Sequence, residues 1–344
     1  MPLPRHEMLA FPQRRCPISP RERPPMRTHL LQSLLLYAIA GVIVWAVARG
    51  VSWREVAEAA ERANPWMLIS ASLIGFAGWF AGETLLYSRL FTYFHRRTTF
   101  AELLPSVAAV YFLQVVNSLV ASSAFALFLH TRERVGWITS GCTLMFQAYV
   151  DLILLAMLSI IAIALVPDTP MRPGLDYAAV VLGAFCLIAA LWLFWEPQGT
   201  GWARWLYERP AMVSFRTARP WHYVRLMGIR LGIFVCAGFA LYGQFRAFHL
   251  AVPLVQVLAL TPFVMAVGNA PLSPAGIGTT QFVFEVGFAR FATREDLMAV
   301  SLAVTALNFL FRVPMALASG GSLIDEIAQV SREFRGRGLL SGDG

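Results

Sequence analysis

Apolar runs long enough to cross a bilayer recur along this chain, covering residues 29–47, 65–91, 137–165, 177–195, 227–248 and 297–323. The hydrocarbon core of a bilayer is about 30 Å thick and takes about 20 helical residues to cross. Backbone N–H and C=O groups find no water at that depth, so runs of this length must be helices. Composition agrees: 57% of residues are hydrophobic and 14% charged, where a soluble domain carries about 25% charged residues. Once tails and loops are removed, too little polar sequence remains for a separate soluble domain. The expectation is one membrane domain over 27–326. Before it comes an Arg- and Pro-rich tail, 1–26, expected to be disordered; after it, a basic tail over 327–344. Met26-Arg27 opens straight onto the first run, which makes Met26 a candidate true start.

The net charge of +8 comes from Arg alone among the long basic residues; the chain has no Lys. The Arg residues sit mainly in tails and in loops flanking apolar runs, the positive-inside pattern. Nucleic-acid binding would need them gathered on one soluble face, so that class is set aside. Arg96, Arg97, Arg132 and Arg134 mark cytoplasmic turns, as do Arg204, Arg209, Arg216 and Arg219. With these inside, both termini are expected to be cytoplasmic and the protein multi-pass in the inner (plasma) membrane. Between the first two spans, residues 51–63 place Trp53, Val56, Ala57 and Ala60 opposite Arg54, Glu55, Glu58, Glu61 and Arg62. That pattern predicts an amphipathic helix lying in the interface. Cys142, Cys186 and Cys236 lie in apolar runs without ligand spacing. No metal or cofactor motif is present, and none of either is expected.

Two apolar stretches do not fit the span rule. Residues 100–130 reach about 46 Å as helix, too long for one span and too short for two. Polar Gln114, Asn117, Ser118, Ser122 and Ser123 interrupt them. They read as a re-entrant pair of short helices or, alternatively, as one long tilted helix. Residues 253–292 are broken by Gly268-Asn269-Ala270-Pro271-Leu272-Ser273-Pro274-Ala275-Gly276-Ile277-Gly278. Two Pro and three Gly cannot continue a helix comfortably. Such backbone survives at membrane depth only when sheltered by protein or lining a wet cavity. The expected fold is therefore an all-α polytopic bundle: six full spans and two re-entrant broken segments. The first dips from inside and the second from outside, the layout of an inverted repeat.

The run Asn269 to Phe291, NAPLSPAGIGTTQFVFEVGFARF, resembles the signature of the lysylphosphatidylglycerol synthase membrane-region family, also described as flippase-like. The matching positions are Pro271, Ser273, Pro274, Gly276, Gly278, Gly287 and, later, Arg312. Ala275 stands where that family has Gly, and Gln281 where it has Glu. In the first half Val120 to Ala124 replaces a Pro- and Gly-containing turn. Gln147 replaces an Arg, and Asp151 fits an Asp. The resemblance implies lipid handling. Some relatives carry a cytosolic domain that loads an amino acid onto phosphatidylglycerol; this sequence ends at Gly344 without one, so the expectation is the flipping or lipid-binding part alone.

Ionisable groups at membrane depth cost about 2.5–3.5 kcal/mol each on insertion scales and need partners. The candidates are Glu83, Asp151, Glu285 and Arg312. A Glu285–Arg312 pair across helices is the expected arrangement. Glu83 is expected to share the inner interface with Arg89, and Arg230 to snorkel near the start of its span. Asp151 has no local counter-charge. A lipid path is expected along Asn117, Pro271, Ser273, Pro274, Gly276, Gly278 and Gln281 with those ionisable groups. The leading expectation is flippase-like movement of a phospholipid, modified phospholipid or polyprenyl-linked lipid. The alternatives are a membrane-embedded head-group transferase and a scaffold for a cytosolic lipid-modifying enzyme.

Overall fold

The computed structural model describes residues 52–95, 97–116, 125, 137–194, 207–209, 212–268, 278–312 and 314. The first expected span, both tails, and the path residues Asn117, Pro271, Ser273, Pro274 and Gly276 lie outside these. The helices are α1 (Trp53–Arg62), α2 (Pro65–Phe94), α3 (Phe100–Val116), α4 (Trp137–Leu165), α5 (Arg172–Phe194), α6 (Val213–Thr217), α7 (Pro220–Ala247), α8 (Leu254–Gly268), α9 (Thr279–Phe288) and α10 (294–312). Every regular element among the described residues is a helix. Four are long and apolar enough to cross a membrane: Pro65–Phe94, Thr139–Leu165, Arg172–Leu191 and Pro220–Ala247. The chain is an all-α polytopic membrane protein.

Two spans begin earlier than their apolar runs suggest. Helix α7 starts at Pro220 rather than at 227, and α5 at Arg172 rather than at 177. Pro at the first helical position is pre-set for helix geometry and lacks only an N–H that would be orphaned anyway. The Trp, Tyr and Arg that follow Pro220 belong at a membrane–water boundary, so hydropathy undercounts the helix there.

The centre of the molecule is an antiparallel seam between α2 and α7. Ala71 faces Gly243, Gly75 faces Ala240, Gly78 faces Cys236 and Gly82 faces Ile233. In lipid, apolar burial does little to hold helices together, and small residues that let backbones approach take its place. A buried hydrogen bond, Gln244 Nε2 to Ser72 Oγ at 3.0 Å, fixes the register. Helix α4 packs antiparallel on α5, where the Tyr149 hydroxyl donates to the Cys186 carbonyl at 2.9 Å. Tyr177, Val180, Phe185, Ile188 and Leu191 of α5 stay exposed and face the hydrocarbon.

Helices α8 and α9 form a short antiparallel pair. The Gln256 amide, at the start of α8, donates to the Gly287 carbonyl at the end of α9. Gly268, at the end of α8, lies against Thr280 at the start of α9. The two helices have 15 and 10 residues. At the α-helical rise they reach only about 22 Å and about 15 Å, short of a full crossing. The chain therefore leaves this pair at the end of the molecule where it came in. That end also carries the α1–α2 junction, whose Asn64 N–H donates to the Ala247 carbonyl at 2.8 Å. It carries the α4–α5 turn as well, whose Thr169 hydroxyl accepts from Gln256. Helix α1 packs Val56 and Ala59 onto this core and leaves Trp53 exposed.

The opposite end gathers the C-terminus of α2 with the starts of α4, α6 and α7. His95 Nε2 lies 2.8 Å from Thr143 Oγ1, itself 3.0 Å from Ser214 Oγ. Burial holds the His95 imidazole below its ordinary range, in the neutral form that fits this hydroxyl chain. Arg97, Arg216, Arg219 and Arg225 belong to this end. The other end mixes its Arg with Glu55, Glu58, Glu61, Asp168, Asp176, Glu295 and Asp296.

Candidate functional site

Three charges meet in the middle of the bundle. Arg230 Nε donates to Asp151 Oδ1 at 2.8 Å and an Nη donates to Oδ2 at 2.6 Å, a bidentate fork. Its other Nη reaches Glu83 Oε1 at 3.2 Å. Gln147, one turn before Asp151, donates to Oδ2 at 3.2 Å. Arg230 and Glu83 are buried, at 5% and 7% exposure. Arg230 lies nearly three turns into α7 from Pro220, and Glu83 three turns before the end of α2 at Phe94. Asp151 lies nearly four turns into α4 from Trp137. At the α-helical rise these depths are about 15 Å, about 17 Å and about 21 Å respectively. All three residues sit near mid-depth of their spans.

This overturns two expectations and completes a third. Glu83 does not snorkel with Arg89, which is exposed on another face of α2. Arg230 is buried and spends its guanidinium on the two carboxylates instead of reaching for the interface. Asp151 has its counter-charge, supplied by α7 rather than by its own helix. The physical reason is that an unpaired ion at that depth is costlier than bringing three helices into register. With both carboxylates held by one guanidinium, neither is placed as a free base.

Beside this cluster lies a cavity of about 150 Å³ between α2, α3, α7, α8, α9 and α10. Ser72, Trp79, Tyr111, Gln244, Thr280 and Arg312 are among its lining residues. Trp79 lies one turn before Glu83 on α2, so the three-charge cluster borders the cavity's deep end. Gly268 and Thr280 also line it, so it reaches both ends of the Pro- and Gly-rich run. The Arg312 guanidinium carbon sits 5.5 Å from the centre of the Tyr111 ring, a cation–π contact. Its buried Nε has no hydrogen-bond partner among the described residues.

The expected Glu285–Arg312 pair is not formed. Glu285 Oε1 instead meets Arg294 Nε at 2.9 Å, and both side chains are about one-third exposed. Glu285 lies toward the end of α9 and Arg294 opens α10, so the short turn between them brings both to the same end of the molecule; Arg312 lies at the far end of α10. Gln281 is buried and works locally. Its Oε1 accepts from the Gly278 N–H at 2.6 Å and closes the first turn of α9. Gly278 has φ of 91°, a conformation open to glycine and strained for other residues.

The family model for the lysylphosphatidylglycerol synthase TM region matches residues 33–316. The chain belongs to this family. No curated protein matches the chain. The family match spans all three members of the charge cluster, the α8–α9 pair and Arg312, so the geometry above belongs to the family's own domain. For this lysylphosphatidylglycerol synthase TM-region protein, membership indicates a membrane protein linked to lipid handling. Sequence reasoning missed Arg230 and Tyr111 as site residues. Depth counting would have found Arg230, since it is the basic residue whose distance from its loop matches those of Glu83 and Asp151. Nothing local marks Tyr111.

Proposed function

We propose that the protein moves a lipid between leaflets in flippase-like fashion. The observation that carries this is the cavity lined by Arg312, whose buried Nε has no hydrogen-bond partner among the described residues. In hydrocarbon such a group requires compensation that a lipid head group would supply. The α8–α9 pair acts as a re-entrant element dipping from the outer face, and the ends of its interrupted run border the same cavity. Broken helices of this kind form substrate sites in many transporters. The Asp151–Arg230–Glu83 cluster closes the deep end and separates the cavity from the Arg-rich face, which we assign to the cytoplasm.

The test is reconstitution of the purified protein into liposomes carrying fluorescent phospholipids, with leaflet exchange read by an impermeant quencher. Exchange well above that of protein-free liposomes is expected, with at least a tenfold loss in Arg312→Gln. Exchange at the protein-free rate, from protein shown to be folded, would remove this reading.

A further inference from the structure

We infer that Glu83 takes up a proton when a lipid phosphate enters the cavity, so that phospholipid and proton move together. The inference rests on the lipid-moving reading above and adds its coupling ion.

Four formal charges share the middle of the bundle. Asp151, Arg230 and Glu83 are joined by hydrogen bonds. The fourth is Arg312, which lines the cavity and stands over the Tyr111 ring. Glu83 acts electrostatically on Arg312 and Tyr111 as well as on Arg230, so it belongs both to the cluster and to the cavity wall. Two carboxylates and two guanidinium groups sum to zero. Tyr87 and Gln147, the remaining polar neighbours, add no formal charge.

A phosphodiester entering the cavity brings one negative charge into this balance. An uncompensated charge at mid-depth is costly, and one proton restores neutrality. Hydrogen bonding decides where that proton goes. Asp151 accepts from Arg230 through both oxygens and from Gln147 as well, and protonation would disturb these bonds. Glu83 accepts from Arg230 through Oε1 alone, at 3.2 Å. Without the phosphate, Arg230 and Arg312 together balance Glu83, which is then no free base. With the phosphate drawn to Arg312, that share of compensation is lost. A protonated Glu83 also needs an acceptor for its O–H. The Tyr111 hydroxyl beside it is buried and has no hydrogen-bond partner among the described residues, and its oxygen can accept. The proton comes from water on the side the lipid leaves and returns to water on the side it reaches. No bond other than this O–H forms or breaks.

The test uses the full chain in liposomes carrying a trace of fluorescent phosphatidylglycerol, with valinomycin and equal potassium holding the membrane potential at zero. A gradient of about one pH unit is imposed, and an impermeant quencher reads how the label divides between leaflets. Coupling to a single proton should enrich the label in the alkaline-facing leaflet, approaching about tenfold, because a pH unit is a tenfold proton ratio. Glu83→Asp should keep the bias. Glu83→Gln should show none at whatever rate it still exchanges lipid. The distribution on the unmodified chain decides the coupling even if a variant fails to fold. Active exchange with no bias, or with enrichment in the acidic-facing leaflet, overturns the inference and leaves the lipid-moving reading intact. So does a bias that survives Glu83→Gln. Exchange at the protein-free rate removes the lipid-moving reading itself.

Discussion

Arg230 and Arg312 look alike in the sequence, each a lone Arg inside an apolar helix, and their surroundings separate them. Arg230 is saturated: a bidentate bond to Asp151 and a third to Glu83 leave it no role in binding an outside group. The cluster nevertheless carries two acids for one base, so its members are not equivalent. Arg230→Met leaves two carboxylates facing each other and should cost about 3–5 kcal/mol. Glu83→Gln removes the excess acid and leaves a one-to-one pair, so its cost should stay near about 1 kcal/mol. Thermal unfolding of the two purified variants in one detergent checks this. Equal losses would mean that charge balance does not govern the cluster.

At the scale of elements, the α2–α7 seam depends on absent side chains. A Cβ at Gly82 would run into Ile233, and one at Gly78 into Cys236 Sγ. Gly82→Val should therefore cost about 1–3 kcal/mol through overpacking. Gly141, where an added Cβ meets nothing within 4 Å, supplies the control: Gly141→Ala should be neutral or slightly stabilising, since Ala is the better helix former. Gly278→Ala meets a different obstacle, the positive φ at the start of α9, and should cost about 1–3 kcal/mol. Melting temperatures of these variants rank the two mechanisms against the control. A Gly82→Val protein as stable as the parent would show that the seam is looser than its geometry implies.

For the whole molecule, the two ends differ in charge as well as in architecture. One gathers Arg97, Arg216, Arg219 and Arg225; the other mixes Arg with many acids. If the Arg-rich end faces the cytoplasm, Asp168→Cys, exposed in the α4–α5 turn, should react with an impermeant maleimide on intact cells. Arg219→Cys should react only after permeabilisation. The reverse pattern would invert the topology and place the α8–α9 pair on the cytoplasmic side.

The sequence alone determined the class of the molecule. Apolar runs of spanning length permit only helices in a bilayer, and loop Arg residues distinguish its two ends. It also marked where α8 stops and α9 begins, because Pro and Gly break helices by local rules. Pairing across helices was a different matter. Glu83, Asp151 and Arg230 are up to 147 residues apart, and each alone reads as a stray ion. Glu285 looked complementary to Arg312 by type and went to Arg294 by position. Only the tertiary structure decides such partners, since they follow from which helices touch and at what depth, and that is set by the packing of the α2–α7 seam rather than by any local pattern.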